Sequence, residues 1–386
     1  MQIAVFYFIY FAAQGCLVPY LPPYYISLGL SGGQLATLAS IAPLIMVFAP
    51  PIWGFLADRS GKPARTLQLA MLGSAVFFVP MFFARTFAQL GAVLAIQGLF
   101  ATTITSLADT VAVSEAQRIG TEYGRLRMWG SLGFVFGAYV FGAFLARGQG
   151  LEWVLFSGAA GLGVAALATF SLPQAKAVAT HAVPSFRDAL RLLRTGSFVA
   201  FLLTGTLHWA AMQSYYLLFA LHIEERKLSP QFVGAGLTCG VVTEIILLFS
   251  FRRALQRVPL MPFLALAIVV SAGRWALTGW LTSGPAIAIT QAVHGLSFGV
   301  FYAGSIAYLE QTTPSSLRAT GRALLTSFSW GLGGILGNFC AGRLLDLGGT
   351  AAGYFGAAWL DLLALIPLAA CLLLTRAENG AKRLNA

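Results

Sequence analysis

The sequence predicts an all-α membrane protein, with twelve transmembrane helices arranged as two six-helix bundles. Three observations predict it. Only 10% of the residues are charged against 58% hydrophobic, less than half of the roughly 25% charge of a water-soluble domain, and mean hydropathy is +0.78. Apolar runs of about 20 residues, the length a bilayer core demands, recur along the whole chain. A basic, proline-containing stretch near the middle divides those runs six and six.

The opening MQIAVFYFIYFAAQG has no basic segment ahead of it. It therefore reads as the start of the first span rather than as a cleavable leader. The spans follow at 3–27, 33–55, 66–84, 87–113, 124–146 and 151–172, then at 197–222, 231–251, 259–281, 284–309, 320–345 and 351–375. Each is read as a helix, because hydrocarbon tolerates only backbone whose hydrogen bonds close within the protein. The expected organisation is an N-terminal bundle over 1–172, a cytoplasmic central loop over 173–196, a C-terminal bundle over 197–376 and a cytoplasmic tail over 377–386. Within the central loop, SFRDALRLLR reads as an amphipathic helix lying on the membrane surface.

A net charge of +11 could suggest nucleic acid, but the basic residues sit in short loops between apolar runs, which is a topology signal. With the N-terminus inside, seventeen of the 24 lysines and arginines fall on the cytoplasmic side and five outside. Both termini are expected in the cytoplasm of a multi-pass inner-membrane protein, working as a monomer among lipid. Cys16, Cys239, Cys340 and Cys371 are scattered in apolar segments without metal-ligand spacing, so neither a metal nor any other cofactor is implied.

The halves repeat. GRLRMWGSLGFVFG begins at Gly124 and GRALLTSFSWGLGG at Gly321, each opening the fifth helix of its half. Gly130, Gly133, Gly137 and Gly142 thin one of these helices; Gly331, Gly333, Gly334 and Gly337 thin the other. Small residues let helix backbones approach closely in lipid. Repeated halves with a site between them are an architecture of secondary transporters.

Ionisable groups inside spans are costly and mark a pathway or site. Arg125 and Arg127 point about 200° apart on a helix; if Arg125 faces the headgroups, Arg127 faces the bundle. Asp109 follows Thr102 and Ser106 at helical spacing, a polar stripe on an apolar fourth helix. Arg274 sits with Ser271 and Thr278 deep in the ninth, and Glu244 is central in the eighth; the two are natural counter-ions and could equally form a structural latch. His294 shares a stripe with Gln291 and Ser297. Tyr10 and Gln14 on the first helix, His208 and Tyr215 on the seventh, and Trp330 and Asn338 on the eleventh are candidate cavity-lining residues. Asp361, alone in the last span, receives no role.

The loop GFLADRSGKPART places Gly54, Asp58, Arg59, Gly61 and Lys62 in an order that resembles the conformational loop motif of the major facilitator superfamily. FYFIYFAAQGCLVPYLPPYYISLGLS and APPIWGFLADRSGK are similar to the start of its phenylpropionate-permease branch, itself similar to the lactose-permease group of proton symporters. EYGRLRMWGSLGF resembles that group's fifth helix. The resemblance covers essentially the whole chain. It implies that Arg127 contacts solute, paired with Asp109, and that Arg274 and His294 keep the group's spacing of twenty residues. It also likens Glu244 to an eighth-helix glutamate of the phenylpropionate branch. One departure stands out: the residue three after the histidine, a proton-carrying glutamate in the lactose-permease group, is here Ser297.

The function expected is therefore proton-coupled uptake of a small organic solute, such as an aromatic carboxylate, by alternating access. Asp109, Arg127, Trp129, Tyr10, Gln14, His208, Tyr215, Trp330 and Asn338 would bind solute. Glu244, Arg274, His294 and Asp109 would couple protons. A sugar or nucleoside symporter is one alternative. Drug efflux is another, opposed by the absence of a Gly-Pro pair in the fifth helix. A lipid enzyme is opposed by ionisable groups that are single and dispersed, so no catalytic residue is assigned.

Overall fold

The structure is a computed structural model that describes residues 2–173, 186–255, 258–314 and 317–384. Within them the chain runs as twelve long helical rods. In the first half these are α1 (Gln2–Ser27), α2 (Gly32–Ser60), α3 (Pro63–Phe82), α4 (Phe87–Ile119), α5 (Tyr123–Leu145) and α6 (Trp153–Thr169). In the second they are α7 (Gly196–Glu225), α8 (Gln231–Leu255), α9 (Leu260–Trp280) and α10 (Gly284–Thr312). A last continuous stretch turns over at Gly348 and Gly349, whose backbone is non-helical, which separates α11 (318–347) from α12 (350–384). A short helix, Phe186–Leu193, lies within the central loop, where the amphipathic stretch was expected. Residues 174–185 of that loop, Lys176 included, and Arg257 lie outside the described residues.

Several rods are interrupted where the sequence reads as continuous apolar span. α1 breaks between Leu17 and Leu21, α2 between Ile45 and Ala49, and α4 between Ala101 and Ile104. Prolines at the start of the second segments of α1 and α2 account for two of these breaks, since a ring nitrogen cannot donate to the ladder. The third falls on Thr102 and Thr103. Here the hydroxyl stripe is occupied locally: Thr102 donates to the Gly98 carbonyl at 2.8 Å, and Ser106 to that of Thr103 at 3.0 Å. In the second half, α10 and α11 each widen into a π-helical turn, at Gly295–Val300 and Ser327–Gly333. Such turns are rare and gather at functional sites.

The chain divides into two compact units. One comprises Met1–Thr180 and Tyr216–Thr238, the other His181–Tyr215 and Cys239–Ala386. In the first unit the closest packing is α1 on α5. A Cβ added to Gly133 would lie 2.2 Å from the Phe8 carbonyl, and one on Gly137 would lie 2.0 Å from that of Ala12. The second unit repeats the device, where a Cβ on Gly333 would meet the Thr206 carbonyl at 2.6 Å and one on Gly337 that of Ala210 at 2.2 Å. Both pairs of glycines, and the carbonyls they approach, are four residues apart. The half-repeat is therefore structural as well as textual.

Candidate solute and proton sites

Two clusters of polar side chains occupy the interior of the spans, one in each unit. In the first, the rotation expected along α5 is observed: Arg125 is exposed, while Arg127 is half-buried and its guanidinium lies over Phe11, 4.4 Å from the ring centre, and near Tyr7 at 5.5 Å. Arg127 Nε stands 3.9 Å from Asp109 Oδ1, with the two side chains 31% and 35% exposed. The Tyr7 hydroxyl donates to the same Asp109 oxygen at 2.5 Å. Asp109 and Arg127 thus meet, and sequence reasoning missed the tyrosine that holds the carboxylate. An aromatic on α1 gives no polar signal in the sequence, because its hydroxyl partner lies 102 positions away.

Among the other candidates of this unit, Tyr10 is buried and stacks on Phe6, and its hydroxyl neighbours Gln14 and Thr105. Trp129 packs edge-on against Phe8 and is 45% exposed. In the loop motif, Asp58, Arg59 and Lys62 are exposed, and no described atom lies within 4 Å of the point a Gly54 Cβ would occupy. Gly61 ends the second segment of α2 with φ +61° and donates its N–H to the Asp58 carbonyl. This left-handed cap is the one position of the motif where glycine is required by conformation.

The second cluster is buried at Arg274, Gln291, His294 and Ser297, with Glu244 half-buried beside it. Arg274, 1% exposed, donates from Nε to Gln291 at 3.1 Å and from Nη1 to the Ser297 hydroxyl at 2.8 Å. The same Nη1 faces His294 Nδ1 at 3.0 Å. Its guanidinium lies over Trp275 at 4.0 Å and Tyr215 at 4.7 Å. Gln291 donates onward to Thr278 at 3.1 Å, so the α9 stripe and the α10 stripe interlock. Glu244 on α8 packs its backbone against Gly295, and Gly240 packs against His294. Asn338 is buried on α11.

His208 and Asp361 belong to this cluster too. Both are fully buried, with His208 Nδ1 2.6 Å from Asp361 Oδ1. His208 Nε2 lies 2.9 Å from the Ser297 carbonyl, and the Trp275 indole N–H donates to Asp361 Oδ2 at 2.8 Å. His208, expected beside a cavity, is instead sealed in the packing, with Phe301 at 4.2 Å. Asp361 appeared isolated because its partners come from α7 and α9, 153 and 86 positions away. Trp330 remains near an opening: a cleft in this unit is bordered by Trp209, Tyr302, Arg322 and Trp330, and the two tryptophan rings lie 4.6 Å apart.

Known proteins resemble the chain over nearly its full length. The model of the MFS_1 like family matches residues 1–355. A maltose permease of Geobacillus stearothermophilus is 26% identical across 98% of this chain and 95% of its own. A probable 3-phenylpropionic acid transporter of Escherichia coli K12 is 24% identical across 80% and 81%. The crystal structure of the nucleoside transporter NupG superposes with a TM-score of 0.84 over 97% of this chain and 98% of that one, at 18% identity, which speaks to fold. These relatives are carriers rather than enzymes, and the loop motif, the repeated halves and the buried ionisable clusters agree with them. The chain belongs to the MFS_1 like family of the major facilitator superfamily, as a multi-pass secondary transporter of small solutes.

Proposed function

We propose that the protein is a proton-coupled symporter that takes up a small organic anion, an aromatic carboxylate for preference, by alternating access. The observation that carries the reading is the setting of Arg127. Its guanidinium rests on Phe11 and Tyr7, is about one-third exposed and stands a loose 3.9 Å from Asp109. A cation backed by aromatic rings offers a carboxylate its fork and a phenyl ring its flanking surface. Trp129, Tyr10 and Gln14 complete this side of the site in our reading. Tyr215, Trp330 and Asn338 serve the second half, and Glu244, Arg274, His294 and Asp109 link solute binding to protonation. The 3-phenylpropionic acid relative supports the class of solute.

In this reading, bundles over 1–172 and 197–376 rock about a site at mid-membrane, with the chain a monomer in the inner membrane. The motif residues Gly54, Asp58, Arg59, Gly61 and Lys62 act at the cytoplasmic ends during that movement. A sugar or nucleoside is the second reading, favoured by the maltose permease and by NupG.

The test is counterflow in proteoliposomes against a panel of labelled aromatic acids, sugars and nucleosides. It is paired with the external pH of energised vesicles. Solute-dependent alkalinisation outside, strongest with an aromatic acid, is the expected result. Intact binding and uptake in both Asp109→Asn and Arg127→Ala would remove the site assignment.

A further inference from the structure

We infer that the coupling proton is carried by the His208–Asp361 pair, sealed between α7 and α12 and positioned by the Ser297 carbonyl and the Trp275 indole. This rests on the proton-coupled reading above and names the group that the departure at Ser297 leaves open.

The inference follows from counting donors and acceptors. A backbone carbonyl only accepts. His208 Nε2, 2.9 Å from the Ser297 carbonyl, therefore carries a hydrogen, a tautomer assigned from its partner. Ser297 lies in the π-helical turn of α10, where the shifted ladder offers its carbonyl to an outside donor. The other ring nitrogen, Nδ1, is 2.6 Å from Asp361 Oδ1. With Nε2 protonated, a bare Nδ1 and a bare carboxylate would face each other with lone pairs at that distance. One further proton must lie between them, as imidazolium with carboxylate or as imidazole with carboxylic acid. Either way the pair is neutral overall and holds a single exchangeable proton, with both side chains fully buried.

The same count separates this pair from His294. Arginine has donors and no acceptor. Arg274 Nη1 at 3.0 Å from His294 Nδ1 therefore leaves that nitrogen as acceptor, and His294 is neutral in this arrangement. Other ionisable groups of the unit stand one contact further out: Arg274 of α9 is bonded to Ser297 and faces His294 of α10 and Tyr215 of α7, Tyr354 of α12 stacks on Trp275, and Glu244 of α8 packs its backbone against Gly295. Arg274 is the fixed cation among them, adjacent in sequence to the Trp275 that donates to Asp361 and bonded to the Ser297 whose carbonyl holds His208.

The step balances simply. The proton between Nδ1 and Oδ1 leaves to water on the side where solute is discharged. It leaves a neutral Nε2–H imidazole and a carboxylate, and the site gains one negative charge. Arg274 and the Trp275 N–H offset that charge, but the single hydrogen left on the ring can serve only one acceptor, so either the 2.6 Å contact to Asp361 or the 2.9 Å contact to the Ser297 carbonyl sets lone pair against lone pair and must open. Loss of the proton is thereby converted into a change in the packing of α7 on α12 or on α10.

The test compares wild type with Asp361→Asn and Trp275→Phe in proteoliposomes, using the best solute from the counterflow panel. Asp361→Asn is expected to lose solute-driven proton movement at least tenfold, while exchange of solute at equal concentrations stays within about threefold of wild type. Trp275→Phe removes the donor that positions the carboxylate and should lower the number of protons moved per solute at least threefold, while exchange of solute stays within about threefold of wild type. Proton movement that survives in Asp361→Asn, or an unchanged proton-to-solute ratio in Trp275→Phe, overturns the assignment. Wild-type vesicles that concentrate solute without moving protons overturn the symport reading, and this one with it.

Discussion

Arg127 and Arg274 are both arginines inside spans, and their settings differ in kind. Arg274 is 1% exposed and bonded to Gln291 and Ser297, with His294 in reach of the same nitrogen. Arg127 is about one-third exposed, and its carboxylate is 3.9 Å away. Exposed or loose ion pairs contribute at most about 1 kcal/mol, whereas stripping one member from a buried polar network costs about 3–5 kcal/mol. Arg127→Ala should therefore abolish solute binding yet leave the melting temperature of the purified protein within a few degrees of wild type. Arg274→Ala should lower that temperature sharply or prevent folding. If the two variants melt alike, the distinction between a loosely held, solute-facing cation and one locked in a buried network is lost. The sequence already carried half of this: the turn of α5 and the likeness to known permeases brought Asp109 and Arg127 together. It could not carry the other half. Asp361 sits alone in an apolar run, and its partners His208 and Trp275 lie 153 and 86 positions away. A contact that spans 153 positions leaves no local pattern, so the most buried ionic pair was the least legible.

Among the elements, helix positions were readable because hydrocarbon imposes a length and a polarity on every crossing. Departures from straight helix were not. The break in α4 and the π turns of α10 and α11 arise where neighbouring helices and side chains satisfy displaced backbone groups, and that requires knowing the neighbours. The glycines fall between these cases: their presence in α5 and α11 was visible, while their partners were not. The partners turn out to be carbonyls of α1 and α7, met in the same four-residue register. That arrangement makes a sharp prediction. A Cβ on Gly137 would sit 2.0 Å from the Ala12 carbonyl, and one on Gly337 2.2 Å from that of Ala210. Backbone on both sides leaves no flexible tip to swing away. Gly137→Ala and Gly337→Ala should each cost about 1–3 kcal/mol as overpacked contacts, seen as a lower melting temperature in detergent. Gly163, in α6, has nothing within 4 Å of its added Cβ, so Gly163→Ala should be neutral or slightly stabilising. Equal effects at all three positions would mean that the close approach of α1 to α5 and of α7 to α11 is not what the glycines serve.

At the scale of the whole molecule, the distribution of charge bears on direction as well as insertion. Arg59, Lys62 and Arg65 cluster at the α2–α3 turn, Arg118 and Arg125 bracket the α4–α5 loop, and Arg318 and Arg322 lie in the first turns of α11. All lie on one side if the helices alternate. The opposite side holds few basic residues, Arg85 and Arg147 among them. Translocation retains lysine and arginine in the cytoplasm, so the crowded side should be inside and both termini with it. Direction matters for the proton argument, since a symporter discharges solute and proton to the same side. Single cysteines in a background lacking the four native ones test it directly. Arg147 and Lys62 are both exposed, and each can be replaced without disturbing a buried contact. Arg147→Cys should react with a membrane-impermeant maleimide on intact cells. Lys62→Cys should react only after the membrane is opened. The reverse pattern would invert the protein. It would put Gly54, Asp58, Arg59, Gly61 and Lys62 outside and remove the cytoplasmic role proposed for them.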